Sequence, residues 1–165
     1  MTDAAGVMEA EVLSARLGPG DQLVGLDPGT KTIGVAVSDG LRSLASPLTV
    51  VRRKKFGVDV AKVLEAVAGR QVAGWVIGLP VNMSGEEGPR AQSARAFARN
   101  LSRLVPQPIL LWDERLSTVE AERAMISADV SRAKRADVID AVAASYILQG
   151  ALDRQAVIAR DEDRG

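Results

Sequence analysis

Apolar positions in this chain follow two rhythms, a period of two and a period of three to four, and the rhythms alternate along its length. Leu23, Val24 and Leu26 form a short apolar run, Pro28-Gly29 lets the chain reverse, and Ile33, Val35 and Val37 alternate with small residues on the return. LVGLDPGTKTIGVAVSD, residues 23–39, therefore predicts strand, turn, strand. A third strand is expected over Leu44 to Val51. Phe56, Val60, Val63, Leu64 and Val67 then fall at i, i+4, i+7, i+8 and i+11, which predicts an amphipathic helix over 56–69, stopped by Gly69. Trp75 to Leu79 reads as a short strand closed by Pro80. From Glu87 to Leu104 the helical period returns through Ala91, Ala94, Phe97, Ala98 and Leu101, and Pro106 and Pro108 end it. Ile109 to Trp112 is a fifth strand. Ser117 or Thr118 can cap a helix through Met125 and Ile126, and Asp137 to Leu152 forms a last, largely apolar helix.

Three hairpin-connected strands followed by α-β-α-β-α describe an α/β domain with a five-stranded mixed sheet, three strands antiparallel and then two parallel, flanked by helices. The crossovers should be right-handed, with a ligand beyond the carboxyl ends of the parallel strands. Asp27, the segment Pro80 to Gly88 and Asp113-Glu114 would converge there. Residues 1–20 read as a mobile arm, helical over Val7 to Leu17 and stopped by Gly18-Pro19-Gly20. Residues 21–153 form the single domain, and 154–165 a charged tail whose RDEDRG end is expected to be disordered. There is no internal repeat and no interdomain linker.

Composition narrows the chemistry sharply. The 165 residues contain neither cysteine nor histidine, which excludes disulfides, thiol catalysis, Ser-His-Asp machinery and the usual Cys/His zinc sites. Acid-base or metal chemistry must come from Asp, Glu, Lys, Tyr or bound ions, and carboxylate-only sites prefer hard cations such as Mg²⁺ or Mn²⁺. Lys plus Arg and Asp plus Glu number 21 each, so any nucleic-acid binding must use local patches. No apolar stretch approaches the roughly 20 residues of a membrane span, and the opening residues lack a basic start before an apolar core. A soluble cytoplasmic protein, without membrane partners, is expected.

Three acidic elements stand out. Asp27 closes an apolar strand beside a tight turn, a placement shared by ordinary turn aspartates and by metal-dependent phosphoryl-transfer sites. WDERLST, residues 112–118, sets Asp113, Glu114 and Arg115 just after a strand. Acids complementing a helix macrodipole, with Arg115 as their surface partner, would look the same. In DVIDAVAASYILQ, Asp137 and Asp140 share a helical face, and the residues after Asp140 are apolar nearly all round. A carboxylate opening a buried helix is costly unless it is paired, hydrogen-bonded or metal-bound.

GLDPGTKTIGVAVSD, GLPVNMSGEEGPRAQSARAFA, WDERLSTVEA and IDAVAASYILQ, in this order and spacing, resemble the YqgF/RuvX family of the ribonuclease H-like superfamily. The resemblance spans residues 23–152. It implies an RNase H-like fold and a metal-dependent nuclease, either the one that matures the 5′ end of precursor 16S rRNA or a Holliday-junction resolvase-like protein. It places the family's acidic positions on Asp27, Glu114 and Asp140, with Asp113 adjacent as a further candidate ligand. Superfamily relatives carry an acid at the end of the fourth strand. This chain has GLPVN there, so Glu114 would substitute from the next strand, and the role of Asp137 stays open.

Hydrolysis of a phosphodiester needs an activated water, charge neutralisation and a stabilised leaving alkoxide, which two metals roughly 3.5–4 Å apart can supply together. Asp27, on the central strand, is the candidate bridge. Lys31, Arg95 and Arg115 are candidates for steadying the phosphate, with Asn82 and Ser84 in the NMSGEEGPRAQ loop as donors. Each of these cations could equally be a solvated surface charge. The run Arg52-Arg53-Lys54-Lys55, with Arg132, Lys134 and Arg135, offers two denser patches for structured RNA or branched DNA. Aromatics are only 3% of the chain, so backbone shape is favoured over base stacking. Two rival readings are a nucleotide-binding phosphotransferase, since DPGTKTIGVAV resembles the phosphate hairpin of actin-like ATPases, and a non-catalytic nucleic-acid or protein-binding module. The first requires two such lobes, and 165 residues provide one. Either a monomer or a homodimer built on the apolar last helix is compatible with the sequence.

Overall fold

The computed structural model describes residues 6–116 and 132–164, the side chains of 132–138 and 164 excepted. The strands are β1 (Gln22–Pro28), β2 (Thr32–Ser38), β3 (Ala45–Arg52), β4 (Val72–Leu79) and β5 (Ile109–Asp113). The helices are α1 (Ala10–Ser14), α2 (Phe56–Ala66), α3 (Pro89–Ser102) and α4 (Arg132–Arg164), with a 3-10 turn at Glu114–Leu116. The sheet order is β3-β2-β1-β4-β5. β1 therefore lies at the centre, antiparallel to β2 and parallel to β4, as the alternating pattern predicts. The helix expected through Met125 and Ile126 lies outside the described residues.

Burial on both faces explains why β1 is apolar without a gap. Val24 and Leu26 point to one core with Val35, Trp75, Ile77 and Phe97, under α2 and α3. Leu23 points to the other, with Val76, Leu110, Ala144, Ile147 and Leu148, under α4. On that second face the strands carry glycine where the helix comes closest. A Cβ on Gly25 would stand 2.7 Å from the Leu148 Cβ, and one on Gly34 only 2.0 Å from the carbonyl oxygen of Asp140. No side chain fits either position, so the glycines let α4 lie directly on the sheet. Ala143, Ala144, Ile147, Leu148, Ala151 and Leu152 of α4 are covered by the sheet of their own chain.

Both ends depart from expectation. The segment of residues 6–21 is not a free arm: the Ile109 N–H donates to the Gly6 carbonyl at 2.9 Å, the Met8 N–H to the Ile109 carbonyl at 2.8 Å, and Leu13 is fully buried. Its helix is one short turn rather than Val7 to Leu17. The last helix does not stop at Leu152 but runs 33 residues to Arg164, through most of RDEDRG. Gln155 and Ile158 are buried, Gln155 Nε2 donates to the Ala10 carbonyl at 3.1 Å, and Arg154 pairs with Glu11 at 3.0 Å. α1 and the end of α4 hold each other down. Among the described residues no helix is long and apolar enough to cross a membrane.

Candidate active site

Asp27 is the last carboxylate-bearing position of the central strand. It sits opposite Gly34 of β2, and continuing the register beyond Leu26↔Ile77 brings it beside Gly78 of β4. Partners in register share a face, so Asp27, Gly34 and Gly78 all look towards α4. Two other acids occupy the room the glycines leave. The backbone of Asp140 lies over Gly34, and Glu114 Oε1 lies 2.7 Å from where a Cβ on Gly78 would be. Carboxylates from β1, the turn after β5 and α4 thereby reach one cleft of about 610 Å³.

The strand period separates the two acids of the DER motif. Trp112 pairs with Gly78 on the α4 face and Asp113 with Leu79 on the opposite one, so the next residue, Glu114, returns to the α4 side. Glu114 is 7% exposed and lines the cleft. Asp113 does not line it, and as a ligand candidate it is displaced by its own neighbour. Its carboxylate accepts the Arg115 N–H at 2.9 Å and the guanidinium at 2.7 Å. That hydrogen bond holds the Asp113 carboxyl below the usual carboxylate range. Asp140 Oδ2 accepts the Thr32 hydroxyl, which orients it towards the β1–β2 turn. Sequence reading does not reach Thr32 as a site residue, because its role depends on a contact across 108 positions.

The predicted cations divide into two groups. Lys31, Arg52 and Arg53 line the cleft, joined from the first turns of α3 by Ser93 and by Arg90, of which the sequence marks only Ser93 as a candidate. Arg53 is braced from below: its guanidinium donates to the Gly29 carbonyl at 2.6 Å and lies 5.6 Å from the centre of the Phe97 ring. Arg95 turns away to Glu87 at 2.7 Å and Arg115 to Asp113, so neither lines the cleft. Asn82 is exposed in the loop after β4 and also stays outside it. Its backbone closes the loop on itself, accepting from Gly85 at 2.8 Å and donating to Glu86 at 3.0 Å. Lys54 and Lys55 are exposed before α2. The side chains of Arg132, Lys134, Arg135 and Asp137 lie outside the described residues.

Asp39, the second acid of the first hairpin, caps the β2–β3 turn. It accepts the Ser43 N–H at 2.8 Å and the Leu44 N–H at 3.1 Å, which lowers its pKa. It is a turn aspartate.

A family model described as RuvX, Holliday junction resolvase, matches residues 21–154. The chain belongs to the RuvX family. A protein of Rhodobacter capsulatus named "Putative pre-16S rRNA nuclease" is 66% identical over 138 residues, covering 84% of this chain and 87% of that one. A protein of Paracoccus denitrificans with the same name is 66% identical over 140 residues, covering 85% and 89%. Among solved structures, T. thermophilus RuvC in complex with Holliday junction substrate superposes with a TM-score of 0.51 at 16% identity, over 82% of this chain and 96% of that one. The shared fold is RNase H-like. Membership of the RuvX family agrees with the four sequence blocks, which supply Asp27, Pro80, Glu114 and Asp140 to the cleft.

Proposed function

We propose that this RuvX-family protein is a metal-dependent endonuclease that hydrolyses phosphodiester bonds, acting in the cytoplasm on the 5′ end of precursor 16S rRNA. The observation that carries the reading is the placement of Asp27 between two glycines, with Asp140 over one and Glu114 over the other, in a cleft whose remaining lining includes Lys31, Arg52, Arg53 and Arg90. Acids to hold a cation and bases to hold a phosphate share one depression. The names of the relatives favour precursor 16S rRNA as substrate.

The donor set fits Mg²⁺ or Mn²⁺, being all oxygen and drawn from a chain without cysteine or histidine. Among the described residues no group of three or more acids is already gathered to hold a metal ion. Donors on three separate elements suit an ion that keeps several waters and takes only one or two carboxylates at a time. When bound, the metal lowers the pKa of an attacking water and neutralises charge on the phosphate. Asp27, Glu114 and Asp140 would hold it. Thr32 keeps one oxygen of Asp140 engaged and so limits how its carboxylate can rotate. Lys31, Arg53 and Arg90 orient the phosphodiester, Arg53 with little entropic cost because Gly29 and Phe97 already fix it.

Precursor 16S rRNA leader and a four-way DNA junction, incubated side by side with and without Mg²⁺, test the reading. Cleavage of the leader alone is expected. Cleavage of the junction alone would favour resolution of branched DNA, the activity in the description of the family model. Binding of both without cleavage of either would leave a non-catalytic nucleic-acid-binding module.

A further inference from the structure

β3 is an edge strand, and α2 returns beside it to leave a groove of about 640 Å³. Thr49, Arg52, Lys54, Lys62 and Glu65 supply its polar lining. Arg52 also lines the acidic cleft, so the two depressions meet at one side chain. Three cations face one acid in this groove, in a chain whose charges balance overall. That local excess is charge segregation, which a neutral protein needs if it is to bind a polyanion.

The turn that presents these cations is built rather than loose. Asp59 is only 2% exposed, and its carboxylate accepts the backbone N–H of Lys54 at 2.9 Å. Its own N–H donates to the Lys55 carbonyl at 2.9 Å. A buried acid is thus committed to holding the shape of an exposed basic turn. Arg53, anchored on Gly29 and Phe97, lines the cleft, while Lys54 lines the groove. The run 52–55 therefore serves two depressions rather than one.

We propose that the groove between β3 and α2 is a second phosphate-binding track, which takes the nucleic-acid backbone as it leads away from the cleft. Lys54 and Lys62 make its contacts and Arg52 joins it to the cleft. The proposal rests on the reading of the cleft as a phosphodiester site. Lys62 lies on a helix that contributes nothing to the cleft lining, and no sequence motif marks it.

The test is binding by fluorescence anisotropy in EDTA, so that no cleavage occurs, with two labelled RNA duplexes: one just long enough to fill the cleft and one extended beyond it. Lys62→Ala should weaken binding of the extended duplex and reduce its salt dependence, d log K/d log [salt], by about 0.9. The short duplex should bind as before. Glu65→Lys should tighten the extended duplex alone. An unchanged salt slope in Lys62→Ala, or equal weakening of both duplexes, overturns the track. Lys62 is exposed, so the variant should fold. Loss of cleavage by the wild type with this binding pattern intact would instead count against the nuclease reading while leaving the track in place.

Discussion

Asp27 has glycine for a neighbour on each adjacent strand, Gly34 paired with it and Gly78 beside the end of the β1–β4 register, so its in-register neighbours carry no side chain. Asp140 and Glu114 fill the space from above. Asp27→Asn removes one of the three carboxylates that reach the cleft, so it should abolish Mg²⁺-dependent cleavage while leaving thermal stability little changed, since Asp27 belongs to neither apolar core. Activity surviving in that variant, purified free of host nucleases, would remove Asp27 from the chemistry. The DER acids make a sharper pair. Glu114→Gln should cost far more in kcat than Asp113→Asn, because Glu114 lines the cleft and Asp113 is engaged by Arg115. Single-turnover rates for the two variants decide it, and equal losses would place Asp113 in the reaction as well.

At the scale of elements, α4 does two jobs. Its first half carries Asp140 across the end of the hairpin, and its second half clamps the segment before β1. The carbonyl of Asp140 approaches the sheet so closely that Gly34→Ala must push the helix off β2. Overpacking of this kind costs about 1–3 kcal/mol. A lowered urea midpoint together with weakened Mn²⁺ binding is expected, whereas a variant as stable as the parent would mean that α4 can shift without cost. Removing residues 154–165 tests the other half. Ile158 is buried, and its loss alone should cost about 1.5–3 kcal/mol. Equilibrium urea unfolding measures it, and an unaltered midpoint would show that the end of the helix contributes nothing to the fold.

Among the described residues the two large apolar cores lie one on each face of a single sheet, with a small third cluster of Leu79, Ala91 and Ala94 between β4 and α3. Neither core contains the cleft acids. Chelation should therefore separate activity from folding: EDTA is expected to abolish cleavage, while the thermal midpoint falls only by the small amount that ligand linkage predicts, RT ln(1 + [L]/Kd). A protein that unfolds in EDTA would instead have a structural metal. Recognition is likewise local. With net charge zero, no diffuse field is available to draw nucleic acid in, and under the proposed function binding would fall to the cations that the β1–β2 turn, the 52–55 turn and the start of α3 bring to the cleft.

The sequence alone determined the five strands and the two helices between β3 and β5, with their order, because strand and helix periods follow from short-range sterics that each segment carries within itself. It also determined that Asp113 and Glu114 point to opposite faces, a consequence of the strand period. Asp27, Glu114 and Asp140 could be singled out from their surroundings in the chain and from the family blocks. That they line one cleft was decided by the tertiary structure, since only packing sets Gly34 beneath Asp140 and Gly78 beneath Glu114. Arg95, Arg115 and Arg90 show the same division. All three are basic residues near the carboxyl end of the sheet, and nothing in their local sequence says that Glu87 and Asp113 claim the first two while Arg90 remains at the cleft. The end of α4 was illegible for a related reason. DRQAVIARDEDR has too few apolar positions to predict a packed helix by itself, and it is held because Arg154 and Gln155 find α1, a partner more than 140 residues away in the chain but adjacent once the sheet has formed.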